Sequence, residues 1–241
     1  MKRLVTIVPL ALVCAFIASG CVHVFVDCVQ GSGTVARDVR SVSTFQRVVI
    51  KGGTDVVLRQ AAAQSVVVEA EDNLLPLIRT AVENGELVID TRKCIESTRP
   101  VVVHVAAPEL AGIHINGSGD VSGPDKIDAP TFDLSISGSG DVRLWLASTN
   151  LRTRISGSGD IVLRGSARDF DVTISGAGDI TASDLAVARA RVTISGSGDC
   201  RLDVSELLDV SISGAGDVGY KGPVRDVRAS VSGSGDVHRV R

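Results

Sequence analysis

Ile115-Asn116-Gly117-Ser118-Gly119-Asp120-Val121 decides the fold, because this stretch returns six more times with small changes. Its aspartates are Asp120, Asp141, Asp160, Asp179, Asp199, Asp217 and Asp236, at spacings of 21, 19, 19, 20, 18 and 19 residues. A degenerate copy, Gly52-Gly53-Thr54-Asp55, stands upstream. A period of this length marks a repeat architecture, in which a unit buries its apolar face against its neighbours.

Aligned on the aspartate, the units form columns. Five residues before it stand Ile115, Ile136, Ile155, Ile174, Ile194, Ile212 and Val231. Seven before stand Ile113, Leu134, Thr153, Val172, Val192, Val210 and Ala229. One after stand Val121, Val142, Ile161, Ile180, Cys200, Val218 and Val237. Apolar residues at every second position on both sides of a Gly-rich turn carry the strand period. Each unit is therefore expected to give a strand, a turn, a second short strand and a variable return. The predicted fold is all-β, a right-handed parallel β-helix with coils of about 19 residues and an irregular N-terminal cap. An antiparallel meander or barrel is the alternative. It needs a tight turn at both ends of each strand, and only one end has a regular turn.

The outward positions agree with stacking. Eight residues before the aspartate stand Asp133, Arg152, Asp171, Arg191, Asp209 and Arg228, with the sign alternating at every step. Coils about 4.8 Å apart would set each carboxylate between two guanidinium groups. Such exposed pairs contribute only about 0.2–1 kcal/mol each, but a skipped coil would place like charges together.

Before residue 110 the pattern is less regular. Residues 45–58, 65–70, 86–91 and 101–106 read as strands, and 73–82 as one short helix with Pro76 in its first turn. The domain reading is residues 1–20 as a signal peptide and 21–30 as a lipidated tether. Residues 31–110 follow as irregular coils and cap, continuous with regular repeats over 111–241.

The signal reading rests on Lys2 and Arg3, an apolar run from Leu4 to Ile17 interrupted by Thr6, and then Ala18-Ser19-Gly20-Cys21. The last four resemble a lipobox, with Cys21 as the lipid-attachment residue and a cleaved signal without lipidation as the plainer reading. Val22 after the cysteine fits outer-membrane sorting in a Gram-negative host. Removing residues 1–20 takes two basic residues and no acid, moving the formal charge from −3 to −5. No basic block points to nucleic acid. Aromatics are only 3 % of the chain, so Val, Ile and Leu must fill the core. With Cys21 lipidated, Cys200 falls in an apolar column, and Cys28 and Cys94 could pair in an oxidising compartment.

The Ile-Ser-Gly-Ser-Gly-Asp-Val repeats, preceded by Asn73-Leu74-Leu75-Pro76 and Glu86-Leu87-Val88-Ile89, resemble the bacterial head GIN domain family. That family carries the label "putative autotransporter adhesin". The resemblance spans roughly residues 31–241. It implies an exported β-helical domain, often a lipoprotein, without established enzymatic activity. Departures are Asn116 for serine and Ala177 and Ala215 for the central serine.

For the motif itself, glycine allows a sharp corner and aspartate can accept hydrogen bonds from turn N–H groups. Serines four before the aspartate, from Ser137 to Ser232, are expected to form a hydroxyl ladder. No His or Lys accompanies them at fixed spacing, so no nucleophile is indicated. The structural reading assigns no metal and no cofactor. Its alternative is calcium held by Asp120, Asp141, Asp160, Asp179, Asp199, Asp217 and Asp236, since stacked carboxylates repel. A β-helical polysaccharide-degrading enzyme is less favoured, because the regular carboxylates single out no acid/base pair. Trp145 reads first as a packed corner residue and second as a sugar contact. The expected function is non-enzymatic, either a binding or adhesion surface or a scaffold. Its partners would be the membrane through the lipid and an unknown protein or polysaccharide ligand. A second copy could join through the solenoid end. A ligand face is expected around Arg143, Trp145 and Arg201, which break the repeat pattern.

Overall fold

The computed structural model describes residues 27–240. The N-terminal part holds nine strands: β1 (Val29–Gln30), β2 (Val35–Arg40), β3 (Arg47–Gly52), β4 (Asp55–Gln60), β5 (Ser65–Glu71), β6 (Ile78–Glu83), β7 (Glu86–Thr91), β8 (Ile95–Glu96) and β9 (Val102–Ala107). The repeats follow as β10 (Gly112–Gly117), β11 (Val121–Ile136), β12 (Val142–Ile155), β13 (Ile161–Ile174), β14 (Ile180–Ile194), β15 (Cys200–Ile212), β16 (Val218–Lys221), β17 (Asp226–Val231) and β18 (Val237–Arg239). Among the described residues no helix is long and apolar enough to cross a membrane.

From β10 onward the coils stack in chain order, parallel and in register. Ile136 faces Ile155, Ile155 faces Ile174, Ile174 faces Ile194, and Ile194 faces Ile212. The chain is a β-solenoid. The expected second strand and return prove to be one long strand such as Val142–Ile155, bent without leaving the ladder. Pairing continues through the bend, so most backbone groups there keep their partners. Unequal coil lengths are absorbed away from the glycine turns. Ser122 faces Arg143 while Lys126 faces Trp145, so two additional residues bulge from β11 there. A second irregularity lies where Ala182 faces Leu202 and Ala186 faces Asp203.

The columns fill the interior. Ile115, Ile136, Ile155, Ile174, Ile194 and Ile212 are all buried, as are Phe132 and Phe170. Thr153 is also fully buried, and its hydroxyl has no hydrogen-bond partner. It stands between Leu134 and Val172 in a column otherwise apolar. Thr153→Val is therefore expected to stabilise the protein by about 1 kcal/mol, read as a higher urea midpoint. An unchanged or lower midpoint would mean that the hydroxyl is satisfied.

The N-terminal part departs from chain order. β3, the degenerate turn and β4 form the coil beneath β10 and β11, with Ile50 facing Ile115 and Val56 facing Val121. Beneath them lie β7 and β9, although these come later in the chain, with Ile89 facing Ile50 and Val103 facing Val56. Antiparallel pairing of β6 with β7, β5 with β9 and β2 with β5 builds the irregular cap.

One expectation is corrected here. The helix over 73–82 does not form. Leu75–Leu77 make a single 3₁₀ turn containing Pro76, and Ile78–Glu83 continue as β6. Asn84 and Gly85, with φ of 53° and 79°, make the two-residue turn into β7, the conformation that Asn-Gly favours in hairpins. Every residue from Ile78 to Glu83 pairs with β7, with Ile78 and Val82 packed on the core, and this tertiary pairing outweighs the helical reading. The last residues of the stretch expected as a tether over 21–30 are paired. Val29 and Gln30 pair with Ile95 and Glu96 as β1 and β8. Cys21 and residues 22–26 lie outside the described residues.

Candidate functional site

The glycine–aspartate turns sit directly over one another, and a double hydrogen-bond ladder explains the aspartate. Each aspartate N–H donates to Oδ1 of the aspartate one coil below: Asp141 to Asp120 at 2.8 Å, Asp160 to Asp141 at 3.0 Å, Asp179 to Asp160 at 2.9 Å and Asp199 to Asp179 at 2.7 Å. In the other direction, the N–H after each aspartate donates to the aspartate carbonyl one coil above, as from Val142 to Asp160 at 2.8 Å. The degenerate Asp55 starts the ladder by accepting from Asp120 at 3.0 Å. The acceptor role foreseen within a turn therefore operates between turns.

Repulsion among the stacked carboxylates is met by these N–H dipoles and by basic side chains beside Oδ2. Arg143 lies 3.4 Å from Asp141, and Arg201 lies 3.7 Å from Asp199. Among the described residues no three His, Cys, Asp or Glu side chains converge into a metal-sized group. The serine row makes one hydroxyl–hydroxyl bond, Ser195 to Ser175 at 3.3 Å, while Ser213 turns to the Ile194 carbonyl at 3.5 Å. Asp160→Ala is expected to cost about 0.5–1.5 kcal/mol, the net contribution of one hydrogen bond, because it removes the acceptor of the Asp179 N–H. Asp160→Asn should be close to neutral, since its amide oxygen still accepts. Equal losses in urea unfolding would instead assign the role to charge.

Two side faces differ in character. On the first, the alternating column is in register throughout, with Arg152 between Asp133 and Asp171, and Arg191 between Asp171 and Asp209. Arg152 reaches Asp133 at 3.6 Å and Arg191 reaches Asp209 at 3.5 Å. In the next outward row Arg189 grips Asp169 with two bonds of 2.6 and 2.9 Å. This guanidinium, first among its causes, holds the Asp169 carboxyl below the usual aspartate range. These charges largely neutralise one another and set register.

The second face is less balanced. Trp145 is 38 % exposed and Val162 40 %. Trp145 faces Arg164 across the ladder, and the Arg164 guanidinium lies 4.9 Å from the indole centroid, a cation–π contact. Beside them runs a trough of about 470 Å³, whose lining includes Val57, Ser122, Gly123, Pro124, Arg143 and Val162. Trp145 is thus a surface residue rather than a packed corner. Of the three residues singled out in the sequence, Arg143 and Trp145 come together. Arg201 does not, since Val162 and Thr181 separate it from Arg143 along the row. Arg164, missed in the sequence reading, was detectable there. It stands four residues after its aspartate, as Trp145 does after Asp141.

At the capped end, Cys28 and Cys94 form a disulfide. Nearby, Glu71 is completely buried. Its carboxylate accepts from the Ser97 hydroxyl at 2.6 Å, the Thr98 hydroxyl at 2.7 Å, the Gly33 N–H at 2.7 Å and the Thr98 N–H at 3.1 Å. The Ser97 and Thr98 hydroxyls outweigh burial and hold its pKa down at about 2. A carboxylate depressed on folding stabilises the fold above its unfolded value and loses that contribution as pH falls. Stability is therefore expected to fall between pH 4.5 and about 2. That fall should be smaller in Glu71→Gln; identical acid profiles would remove Glu71 as the cause. Sequence pattern could not reveal this residue. Val66, Val68 and Ala70 point inward, so alternation puts Glu71 outside, and the folded-back Gly31–Gly33 segment together with Ser97 and Thr98 covers it.

The molecule is thus a parallel solenoid whose turns are hydrogen-bonded from coil to coil. The chain belongs to the family described as "Putative auto-transporter adhesin, head GIN domain", whose profile matches residues 44–224. Among solved structures it is similar to a putative adhesin from Bacteroides fragilis, at 24 % identity and a TM-score of 0.84, covering 88 % of this chain and 100 % of that one. A putative lipid binding protein from Parabacteroides distasonis matches at 22 % identity and a TM-score of 0.73, covering 89 % and 100 %. A putative adhesin from Parabacteroides merdae matches at 23 % and 0.72, with the same coverage. These likenesses establish the fold. No curated protein shows significant similarity to the chain.

Proposed function

We propose that the protein is a lipid-anchored, non-enzymatic binding module of the outer membrane, displaying its solenoid sides to an envelope or surface ligand. The exposed Trp145 and Arg164 pair carries this reading. It places the chain's sole tryptophan, on a surface poor in aromatics, beside a trough. Membership of an adhesin-labelled family supports binding rather than catalysis. The motif carboxylates are engaged in an inter-coil ladder, so none stands apart as an acid or base. Ala18-Ser19-Gly20-Cys21 supports the anchor. Fractionation of cells tests it. The native chain should remain with outer membranes, and Cys21→Ser should not. A variant retained on the membrane would overturn the lipid anchor.

A second reading, a scaffold that self-associates, is favoured by β17. Val227 and Val231 occupy core columns, yet are 39 % and 44 % exposed, and among the described residues no strand covers them. The other end is closed by the antiparallel cap, so end-to-end contact through β17 would join two copies head to head and stop there. Sedimentation should then show a dimer that Val227→Asp abolishes. A monomer at high concentration would dismiss this reading.

A further inference from the structure

We propose that the trough lined by Arg143 and Arg164, with Trp145 packed on Arg164 beside it, binds an anionic saccharide, bearing uronate or sulfate groups; this rests on the binding-module reading above. Four observations converge on it.

First, the trough is where the repeat is broken. The two additional residues in β11 fall between Ser122 and Lys126, and Gly123 and Pro124 from that bulge line the trough. A Cβ on Gly123 would lie 2.7 Å from the Leu144 side chain, which would have to shift to admit it.

Second, its two arginines keep donor capacity, although Asp184 is the ladder neighbour of Arg164. Among the described residues Arg164 has the Trp145 ring as its contact and no carboxylate at ion-pair distance. Arg143 has Asp141 at 3.4 Å, whose Oδ1 already accepts from Asp160. On the other charged face Arg152, Arg189 and Arg191 each have a carboxylate of their own, whereas Arg154 stands between Ser135 and Thr173. A guanidinium stacked on an indole keeps its N–H edge for a carboxylate or sulfate, which it can hold bidentately.

Third, the ring is oriented for use. Gly165 leaves room for it, since a Cβ at that position would lie 2.9 Å from Trp145 Cδ1. An exposed indole offers an apolar face to the C–H side of a sugar and an N–H to its hydroxyls.

Fourth, the spacing suits a chain. Val57, Ser122, Arg143 and Val162 succeed one another in the outward row along the axis. Each step is about 4.8 Å, close to the length of one pyranose in a polymer. A lipid is disfavoured as the occupant. The coil interior is filled by the buried columns and leaves no place for an acyl chain.

Trp145 is the sole tryptophan, so intrinsic tryptophan fluorescence reports on the Arg164 side of this trough. The mature chain would be titrated with polygalacturonate oligomers, heparin oligomers, neutral dextran and phosphatidylglycerol vesicles. Polygalacturonate oligomers, heparin oligomers or both should change the emission saturably, more at low salt, and dextran should not. Arg164→Ala and Arg143→Ala, checked by circular dichroism, should each weaken binding about tenfold, equivalent to about 1.4 kcal/mol. Arg191→Ala on the other face should leave it unchanged. Binding that survives both arginine changes would overturn the site but leave the module reading intact. A response to vesicles and to neither saccharide would overturn the ligand class. No response to any probe would overturn the inference, and ligand capture by intact cells would then decide the module reading separately.

Discussion

Gly157→Ala is expected to destabilise the solenoid by about 4 kcal/mol or more, enough to abolish cooperative folding of the middle coils. A Cβ at Gly157 would sit 2.0 Å from the Gly138 carbonyl oxygen and 2.9 Å from its carbon and nitrogen. Those are backbone atoms, held by their own ladder bonds, and they cannot rotate aside as a side chain can. A Cβ on Gly176 above would meet the Gly157 oxygen in the same way, at 2.1 Å, so the turns are stacked equally closely on both sides of Gly157. Any backbone shift that relieves one contact therefore worsens the next. Serine at the neighbouring position offers the control. Ser158→Ala should stay within about 0.5 kcal/mol, because Ala177 and Ala215 already occupy equivalent places in the turns. Urea unfolding followed by circular dichroism separates the two. Similar midpoints for Gly157→Ala and Ser158→Ala would show that the turns do not approach as closely as described.

Loss of the Cys28–Cys94 disulfide is expected to lower stability by about 4 kcal/mol, the loop-closure value for a closed loop of this length. The two cysteines are 66 residues apart in sequence, so the link restricts much of the unfolded chain. The bond has a local role as well. It joins the segment before β1 to the stretch leading into β8, next to the strap whose Gly33 N–H caps the buried Glu71 carboxylate. Paired replacement of both cysteines by serine should lower the urea midpoint. It should also speed amide exchange over 29–34, with little change in the coils beyond β12. Cys28 lies seven residues after the proposed lipid-attachment cysteine. Tension on an anchor there would enter the fold through this crosslink, rather than by peeling away the two-residue strand β1. An unchanged midpoint under reducing conditions would show that β1 and the Glu71 contacts hold this end unaided.

The regular repeats were legible because the fold is nearly one-dimensional. Once Ile136, Ile155 and Ile174 are aligned in sequence, they are also aligned in space. The alternating row from Asp133 to Arg228 was read in the same way, and each residue meets its predicted neighbour. Arg164 beside Trp145 obeyed this rule too. The hairpin at Asn84-Gly85 also carried a local signal, but the helical reading of 73–82 overrode it.

By itself, then, the sequence determined the solenoid, its coil length, its register and the residues lining its core. Parallel stacking brings every side chain next to its own equivalent, so a linear alignment already contains those contacts. Tertiary structure alone decided that β7 and β9 lie beneath β3 and β4, that Cys28 bonds Cys94, and that Gly31–Gly33 seal Glu71 from water. These contacts join residues that are not equivalents and are far apart in the chain. No periodicity encodes them, and they appear only when the cap closes over the first coil.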